Sequence, residues 1–238
     1  MINIMYNMNI KDIEISSTTN QNLYDSFNDF IMSSDRKVFN KLIARTLLYD
    51  QVKDVPGDIV ECGVFKGSGF YSFLKLKRIM NPNSLKKIIG FDFFDTKELL
   101  SSLTNMDKKG MSLLFNDRKF EHKDDFKTIL EKKLKEDGFS SEDFELVKGD
   151  ISTTSKKYSE TNPGFKISLL YIDLDLDVPT YDTLKNFWNN MSKGGIIVFD
   201  EYAHSKWSES KGVDRFVEEM NLELKSLNFI CPSAYLKK

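Results

Sequence analysis

Two groups of carboxylates, each standing where an apolar run ends, are the residues of this chain best placed to do chemistry. Asp173, Asp175 and Asp177 follow the run Ile167-Ser168-Leu169-Leu170-Tyr171-Ile172, and Asp200-Glu201 follows Gly194-Gly195-Ile196-Ile197-Val198-Phe199. Both runs read as short buried strands, since parallel strands covered on both faces are apolar almost throughout. The acids then stand at strand ends, the side of an open α/β sheet on which ligands bind. Asp173, Asp200 and Glu201 would converge above two neighbouring strands, and three carboxylates at one point need a cation. A hard divalent ion such as Mg²⁺ takes oxygen ligands and keeps positions for water or substrate. The stretch from Asp173 to Asp200 is long enough for one crossover helix and a return to the adjacent strand, so both acids share one edge of the sheet.

A second motif lies earlier, in Val60-Glu61-Cys62-Gly63-Val64-Phe65-Lys66-Gly67-Ser68-Gly69. It reads as a strand running into glycines and then a helix. Gly63 and Gly67 allow a tight turn and close backbone approach to a ligand, and the helix start at Ser68 offers free N–H groups to a carboxylate or phosphate. The glycine spacing is not that of the dinucleotide fingerprint, which argues against a nicotinamide or flavin ligand. Asp92, ending Ile89-Gly90-Phe91-Asp92, stands where an α/β nucleotide site places its ribose acceptor. Gly149-Asp150 follows a third strand, where a carboxylate can accept from an adenine amino group. Glycine turn, ribose acid and adenine acid together describe an adenosine-type ligand. Each also has a plain structural reading, the glycines as turns and the acids as helix caps.

The elements that must position these groups alternate. An apolar pattern at Val38, Phe39, Leu42, Ile43, Leu47, Leu48 and Val52 predicts a core-facing helix over 37–52. Then come a strand (58–64), a helix (68–80), a strand (87–91), a long polar stretch with few helix or strand signals (95–123), and a helix (124–135). Strands over 144–147 and 168–172, a helix over 180–191, a strand over 196–199, a helix over 212–220 and an apolar stretch over 227–231 complete the series. Alternation of this kind implies an α/β fold with a parallel sheet wound on both faces. Residues 1–36, polar and with a weak amphipathic signal at Leu23, Phe27 and Ile31, read as an N-terminal arm or lid, with one domain over 37–238. Asp177, before Val178-Pro179, reads as a helix cap, and Asp182 as a partner of the helix dipole. Asp175 would point the same way as Asp173 if the chain stays extended, to contact substrate or to make a structural hydrogen bond.

Composition excludes some classes. With 238 residues, 40% of them hydrophobic, one large core can form. Lys and Arg number 34 against 36 Asp and Glu, so no basic surplus points to nucleic acid or an anionic membrane. No run approaches the roughly 20 apolar residues of a membrane span, and the start lacks a signal-peptide pattern, so the expected location is cytoplasmic. Cys62 and Cys231 suit reduced thiols better than a disulfide framework.

Val55-Pro56-Gly57-Asp58-Ile59-Val60-Glu61-Cys62-Gly63-Val64, Gly90-Phe91-Asp92-Phe93-Phe94, Ile172-Asp173-Leu174-Asp175 and Gly194-Gly195-Ile196-Ile197-Val198-Phe199-Asp200-Glu201-Tyr202 resemble, in order, the macrocin O-methyltransferase family. The resemblance runs from about Lys37 to about Glu219. It implies a Rossmann-like, seven-stranded class I methyltransferase sheet. It also implies an S-adenosylmethionine-dependent, metal-assisted enzyme that methylates a hydroxyl of a sugar or nucleotide-sugar, in natural-product or polysaccharide biosynthesis. Glu61, Gly63, Gly67 and Ser68 would hold the methionine end of the cofactor, Asp92 its ribose, and Asp150 with Ile151 its adenine. Asp173, Asp200 and Glu201 would ligate Mg²⁺ or another divalent cation. The family more often has Asp-Asp-Tyr where this chain has Asp200-Glu201-Tyr202, and the stretch 95–123, expected to face the acceptor, departs from its pattern.

Methyl transfer to a weakly acidic hydroxyl needs a base, for which Asp173, Asp175 and His204 are the candidates. His122, among Lys and Asp, reads as a surface residue, and Tyr202 and Trp207 suit either an acceptor pocket or the core. A non-sugar hydroxyl as acceptor, and a non-catalytic nucleotide-binding module on the same fold, are the alternatives; a homo-oligomer is compatible with either. Paired acids at two strand ends disfavour the module. A phosphoryl-transfer enzyme would want a phosphate clamp or P-loop, and the sequence contains no such pattern.

Overall fold

The computed structural model describes residues 21–117 and 126–238; His122 and the end of the expected polar stretch lie outside these. The chain divides into two units, with the boundary between Phe39 and Asn40. In the first, α1 (Gln21–Met32) carries Leu23, Phe27 and Ile31, all exposed, and α2 (Arg36–Val52) begins.

The second unit is an α/β sandwich. Its elements are β1 (Asp58–Cys62), α3 (Ser68–Met80), β2 (Ile88–Asp92), α4 (Thr96–Ser102), α5 (Asn105–Asp117), α6 (Phe126–Glu136), β3 (Phe144–Lys148) and α7 (Ile151–Thr161). They continue with β4 (Ile167–Ile172), α8 (Asp177–Phe187), β5 (Met191–Phe199), α9 (Glu209–Met220), β6 (Lys225–Ser226) and β7 (Ala234–Lys237). The seven strands lie in the order β3-β2-β1-β4-β5-β7-β6. β1 to β5 are parallel, whereas β7 runs antiparallel to β5 and β6 antiparallel to β7, so the sheet is mixed and not wholly parallel as expected.

Alternation along each strand sends neighbouring residues to opposite faces. Ile59, Ile88 and Leu169 pack with Leu48 of α2, Phe73 of α3 and Leu134 of α6. Val60, Ile89 and Leu170 pack with Ile151 of α7, Phe187 of α8 and Phe216 of α9. Helices therefore cover both faces, and β1, β2 and β4 are buried almost throughout, as their apolar runs require.

Several expectations change. The buried face of α2 is Ala44, Arg45, Leu48, Tyr49 and Val52, while Val38, Phe39, Leu42, Ile43 and Leu47 are 39–50% exposed. Apolar residues stand on most sides of this helix, so their spacing alone did not select a face; ion pairs made by Lys41 and Arg45, described below, do. The described part of the expected polar stretch is two helices. Asp95 caps α4 by accepting from the N–H groups of Lys97 and Glu98, both at 3.0 Å. Met111 and Phe115 of α5 form a small core of their own with Leu176, against which Phe65 and Trp207 pack. The crossover helix α7, absent from the expected series, starts at Asp150, whose side chain accepts from Ser152 N. Its first residues, Ile151-Ser152-Thr153-Thr154, are weak helix formers.

Helix α8 starts at Asp177 without a side-chain cap of its own, which corrects the capping role expected for that residue. Ser208 supplies an acceptor there instead, taking a hydrogen bond from Asp177 N at 3.0 Å, while Asp177 pairs with Arg215.

Candidate active site

Register decides the site. Cys62 of β1 pairs with Ile172 of β4, and Ile172 with Phe199 of β5. The next residues, Gly63, Asp173 and Asp200, therefore leave three adjacent strands at one level. The ladder continues one step beyond them, with Asp173 N donating to Cys62 O and Asp200 N to Ile172 O, both at 2.9 Å. Gly63 has φ +91°, and a Cβ there would lie 2.0 Å from the Asp173 carbonyl oxygen. Only glycine lets these two strand ends approach so closely.

Asp173 and Asp200 face one cation. The Lys41 ammonium lies 2.5 Å from Asp200 Oδ2 and 3.2 Å from Asp173 Oδ2. Tyr171 OH donates to Asp200 Oδ1 at 2.5 Å, and the Cys231 thiol to Asp200 Oδ2 at 2.8 Å. Asp200, Glu201 and Cys231, all buried, each offer an oxygen or sulfur within 4.8 Å of the others. Cys231 reaches this point because β7 pairs with β5 and begins three residues later. Both cysteines are free thiols. The Glu201 N–H is held by Glu209 Oε1 at 3.1 Å. Glu209 is fully buried, and its other oxygen has no hydrogen-bond partner among the described residues.

Burial raises the pKa of Asp173, with Asp200 adding repulsion and Lys41 and Arg45 opposing. Burial likewise pushes Asp175 and Glu209 well above the carboxylate range, helped by the neighbouring acids. Burial disfavours charge on Lys41, but Asp173 and Asp200 outweigh it and raise its pKa.

Asp175 does not continue the strand direction. Its φ of +64° is left-handed, so the expectation that it extends in line with Asp173 is corrected. His204 is exposed, with Nε2 3.9 Å from Glu201 Oε2. Tyr202 donates to Asp214. Trp207 packs on the small core of α5, and Ser208 Oγ donates to Asp107 Oδ1 at 3.1 Å, so α5 and the segment before α9 are joined beside the acids.

The glycine turn is braced by Asp92. One of its oxygens accepts from Val64 N (2.8 Å) and Phe65 N (2.9 Å), the other from Phe94 N (2.8 Å). Gly67, at φ +90°, opens α3, and Ser68 at its start is exposed. Ile151 is 3% exposed within the core face of α7. Glu61 pairs with Arg45 at 3.1 Å, and Gly69 makes room for the pair, since a Cβ there would lie 2.1 Å from Glu61 Oε1. The Arg45 guanidinium also lies 4.5 Å from the centre of the Tyr171 ring.

Lys41, Arg45, Cys231 and Glu209 are thus parts of the site that sequence reasoning missed. Only the first two carried a signal, two cations one helical turn apart on one face.

Burial lifts Glu61 from its ordinary 4.5 to about 7, against the pull of Arg45. The folded chain then keeps a proton that the unfolded chain releases above 4.5, so this contribution to stability is complete below 4.5 and lost as pH rises through about 7. Metal-free protein is expected to lose thermal stability across that window, and Glu61→Gln to remove up to about 3 kcal/mol of the loss. Melting curves in chelator with the same slope for both proteins would contradict this.

Residues 32–232 match the family Macrocin-O-methyltransferase (TylF). A curated 8-demethyl-8-(2,3-dimethoxy-alpha-L-rhamnosyl)-tetracenomycin-C 4'-O-methyltransferase of Streptomyces olivaceus is 24% identical over 152 residues, 63% of this chain and 54% of that protein. The chain thus spans about half the length of this relative. The crystal structure of CalS11, described as a calicheamicin methyltransferase, is 27% identical, with a TM-score of 0.73 over 96% of this chain and 88% of that one. The apo structure of CalS11, described as a TDP-rhamnose 3'-O-methyltransferase, has a TM-score of 0.69 at 27% identity over 96% of this chain and 89% of that one. The O-methyltransferase NovP, 19% identical, shares the fold, with a TM-score of 0.69 over 84% of this chain and 79% of its own.

Proposed function

The chain belongs to the macrocin O-methyltransferase family, and from that premise we propose that it transfers a methyl group from S-adenosylmethionine to a hydroxyl of a sugar or glycan precursor, assisted by a divalent cation. The observation that carries this reading is the convergence of Asp173 and Asp200 on adjacent strand ends, directly beside the Gly63 turn.

The residues present fit both groups. Glu61 keeps a buried oxygen without a partner among the described residues, the kind of acceptor an ammonium group satisfies. Glu61, Gly63, Gly67 and Ser68 would hold the methionine end of the cofactor, Asp92 the ribose, and Asp150 and Ile151 the adenine. When bound, the cofactor supplies the electrophilic methyl. Asp173 and Asp200 already share one cation, the Lys41 ammonium, and Asp200 and Glu201 offer oxygens within 4.8 Å of each other, donors that suit a hard divalent ion. Such an ion lowers the pKa of a bound hydroxyl and fixes its direction.

The chain's own residues do the rest. Asp173, Asp175 or His204 takes the hydroxyl proton, and the buried acids hold the acceptor oxygen on the side of the glycine turn. Trp207, Ser208 and α5, joined to one another beside the acids, wall the acceptor space and keep water from it. Among the described residues no helix is long and apolar enough to cross a membrane.

Incubation with methyl-labelled S-adenosylmethionine, Mg²⁺ and a panel of nucleotide-linked sugars, deoxysugars included, is expected to place label on a sugar hydroxyl. Label appearing only on non-sugar hydroxyls, or on none, would refute the assignment.

A further inference from the structure

Helix α2 reaches into the acid cluster with a charge that nothing described so far requires. We propose that Lys41 is a tethered competitor for the metal: its ammonium occupies the place between Asp173 and Asp200 in the metal-free protein, and a divalent ion binds only by expelling it. This inference rests on the divalent-ion reading of the same acids.

The ammonium and a divalent ion would compete for the same oxygens. The ammonium lies 2.5 Å from Asp200 Oδ2 and 3.2 Å from Asp173 Oδ2, between the two aspartates that would hold the ion. The reach of Lys41 is built into the fold. On one side, the preceding residue Asn40 donates to the carbonyl of Cys231 and accepts from Ile230 N at 3.2 Å, tying α2 to the chain before β7. One turn on, Arg45 pairs with Glu61 and lies over the ring of Tyr171, whose hydroxyl donates to Asp200. The helix is held from both directions over the strand ends, so Lys41 returns to the same oxygens whenever they are free.

Such a cation does two things. It neutralises part of a buried acidic cluster that would otherwise repel itself, which keeps the metal-free protein folded. It also lowers the apparent affinity for any ion, since binding must displace a group already in place. A divalent ion, with twice the charge and room for more ligands, wins this exchange where a monovalent one does not. The Lys41 side chain is 22% exposed, and its four-carbon stem lets the ammonium move to solvent when displaced.

The test uses the full-length protein and Mn²⁺ alone, followed by calorimetry and by the paramagnetic signal of free Mn²⁺, with no turnover involved. Lys41→Met, which keeps the stem and removes the charge, is expected to bind Mn²⁺ at least tenfold more tightly than the wild type. Lys41→Arg should bind no more tightly than wild type. A second measurement needs no variant: in wild-type protein, Mn²⁺ should raise the reactivity of Lys41 toward an amine-modifying reagent, read at that residue by mass spectrometry. Mn²⁺ affinity equal or weaker in Lys41→Met, or unchanged Lys41 reactivity on saturation, would overturn the proposal while leaving the metal site standing. Absence of Mn²⁺ binding in both wild type and Lys41→Met would overturn the metal reading and this inference with it.

Discussion

Asp200→Asn is expected to lower kcat by at least about a hundredfold, the scale seen when one charged group that stabilises a transition state is lost, while cofactor affinity stays within about threefold. Asp200 is the hub of the cluster: Lys41, Tyr171 and Cys231 all converge on its two oxygens. Asparagine keeps the shape and can still accept from Tyr171, but it cannot supply the charge a cation needs. Asp173→Asn should be comparably damaging, because Asp173 faces the same cation from the neighbouring strand. Glu201→Gln should cost less. Its backbone is pinned by Glu209, and it reaches the site on a side chain one methylene longer than the Asp usual in the family. Steady-state kinetics showing Asp200→Asn within fivefold of wild type would remove the acid pair from the reaction, and equal losses in all three variants would place Glu201 on the same footing as the aspartates.

Asp92→Ala should weaken S-adenosylmethionine binding at least tenfold and destabilise the protein by about 3 kcal/mol, since hydrogen bonds to a charged group are each worth about 1.5–3 kcal/mol. The carboxylate accepts from three backbone N–H groups, two of them in the turn after β1. Its removal leaves those donors unpaired and releases the turn that must approach the cofactor. Both effects come from one side chain, and they can be separated. If calorimetry finds unchanged affinity in a destabilised variant, Asp92 only braces the turn and the ribose is held elsewhere.

Much of this site was readable before any coordinates, because the relevant signals were local. An apolar run followed by an acid marks a strand end, and two such ends joined by one crossover are most often neighbours in a parallel sheet, as β4 and β5 are, although β3 and β4, also joined by one crossover, are not. Helix α3, framed by Gly67 and a regular apolar pattern, falls on its expected residues, Ser68 to Met80. Less legible was whatever depended on a distant partner. Lys41 and Arg45 are residue types that usually face water, and only the buried acids of β1, β4 and β5 turn that face of α2 inward. Cys231 joins the site through an antiparallel strand some thirty residues after Asp200, a pairing no local pattern announces. Helix α4 carries one local signal, at its start. Asp95 followed by Glu98 is a cap pattern, but the polar residues around it outweighed the sparse apolar ones, whose packing onto Leu176 is tertiary.

The proposed function requires the acids at the ends of β4 and β5 to work through a divalent cation in methyl transfer. Its most direct test is the rate of methyl transfer from labelled S-adenosylmethionine to a sugar acceptor, measured in protein stripped with chelator and again after restoring Mg²⁺. Stripping is expected to abolish turnover, Mg²⁺ to restore it in the wild type, and the same addition to fail to restore it in Asp200→Asn. Full turnover in excess chelator, with metal content verified as negligible, would contradict it.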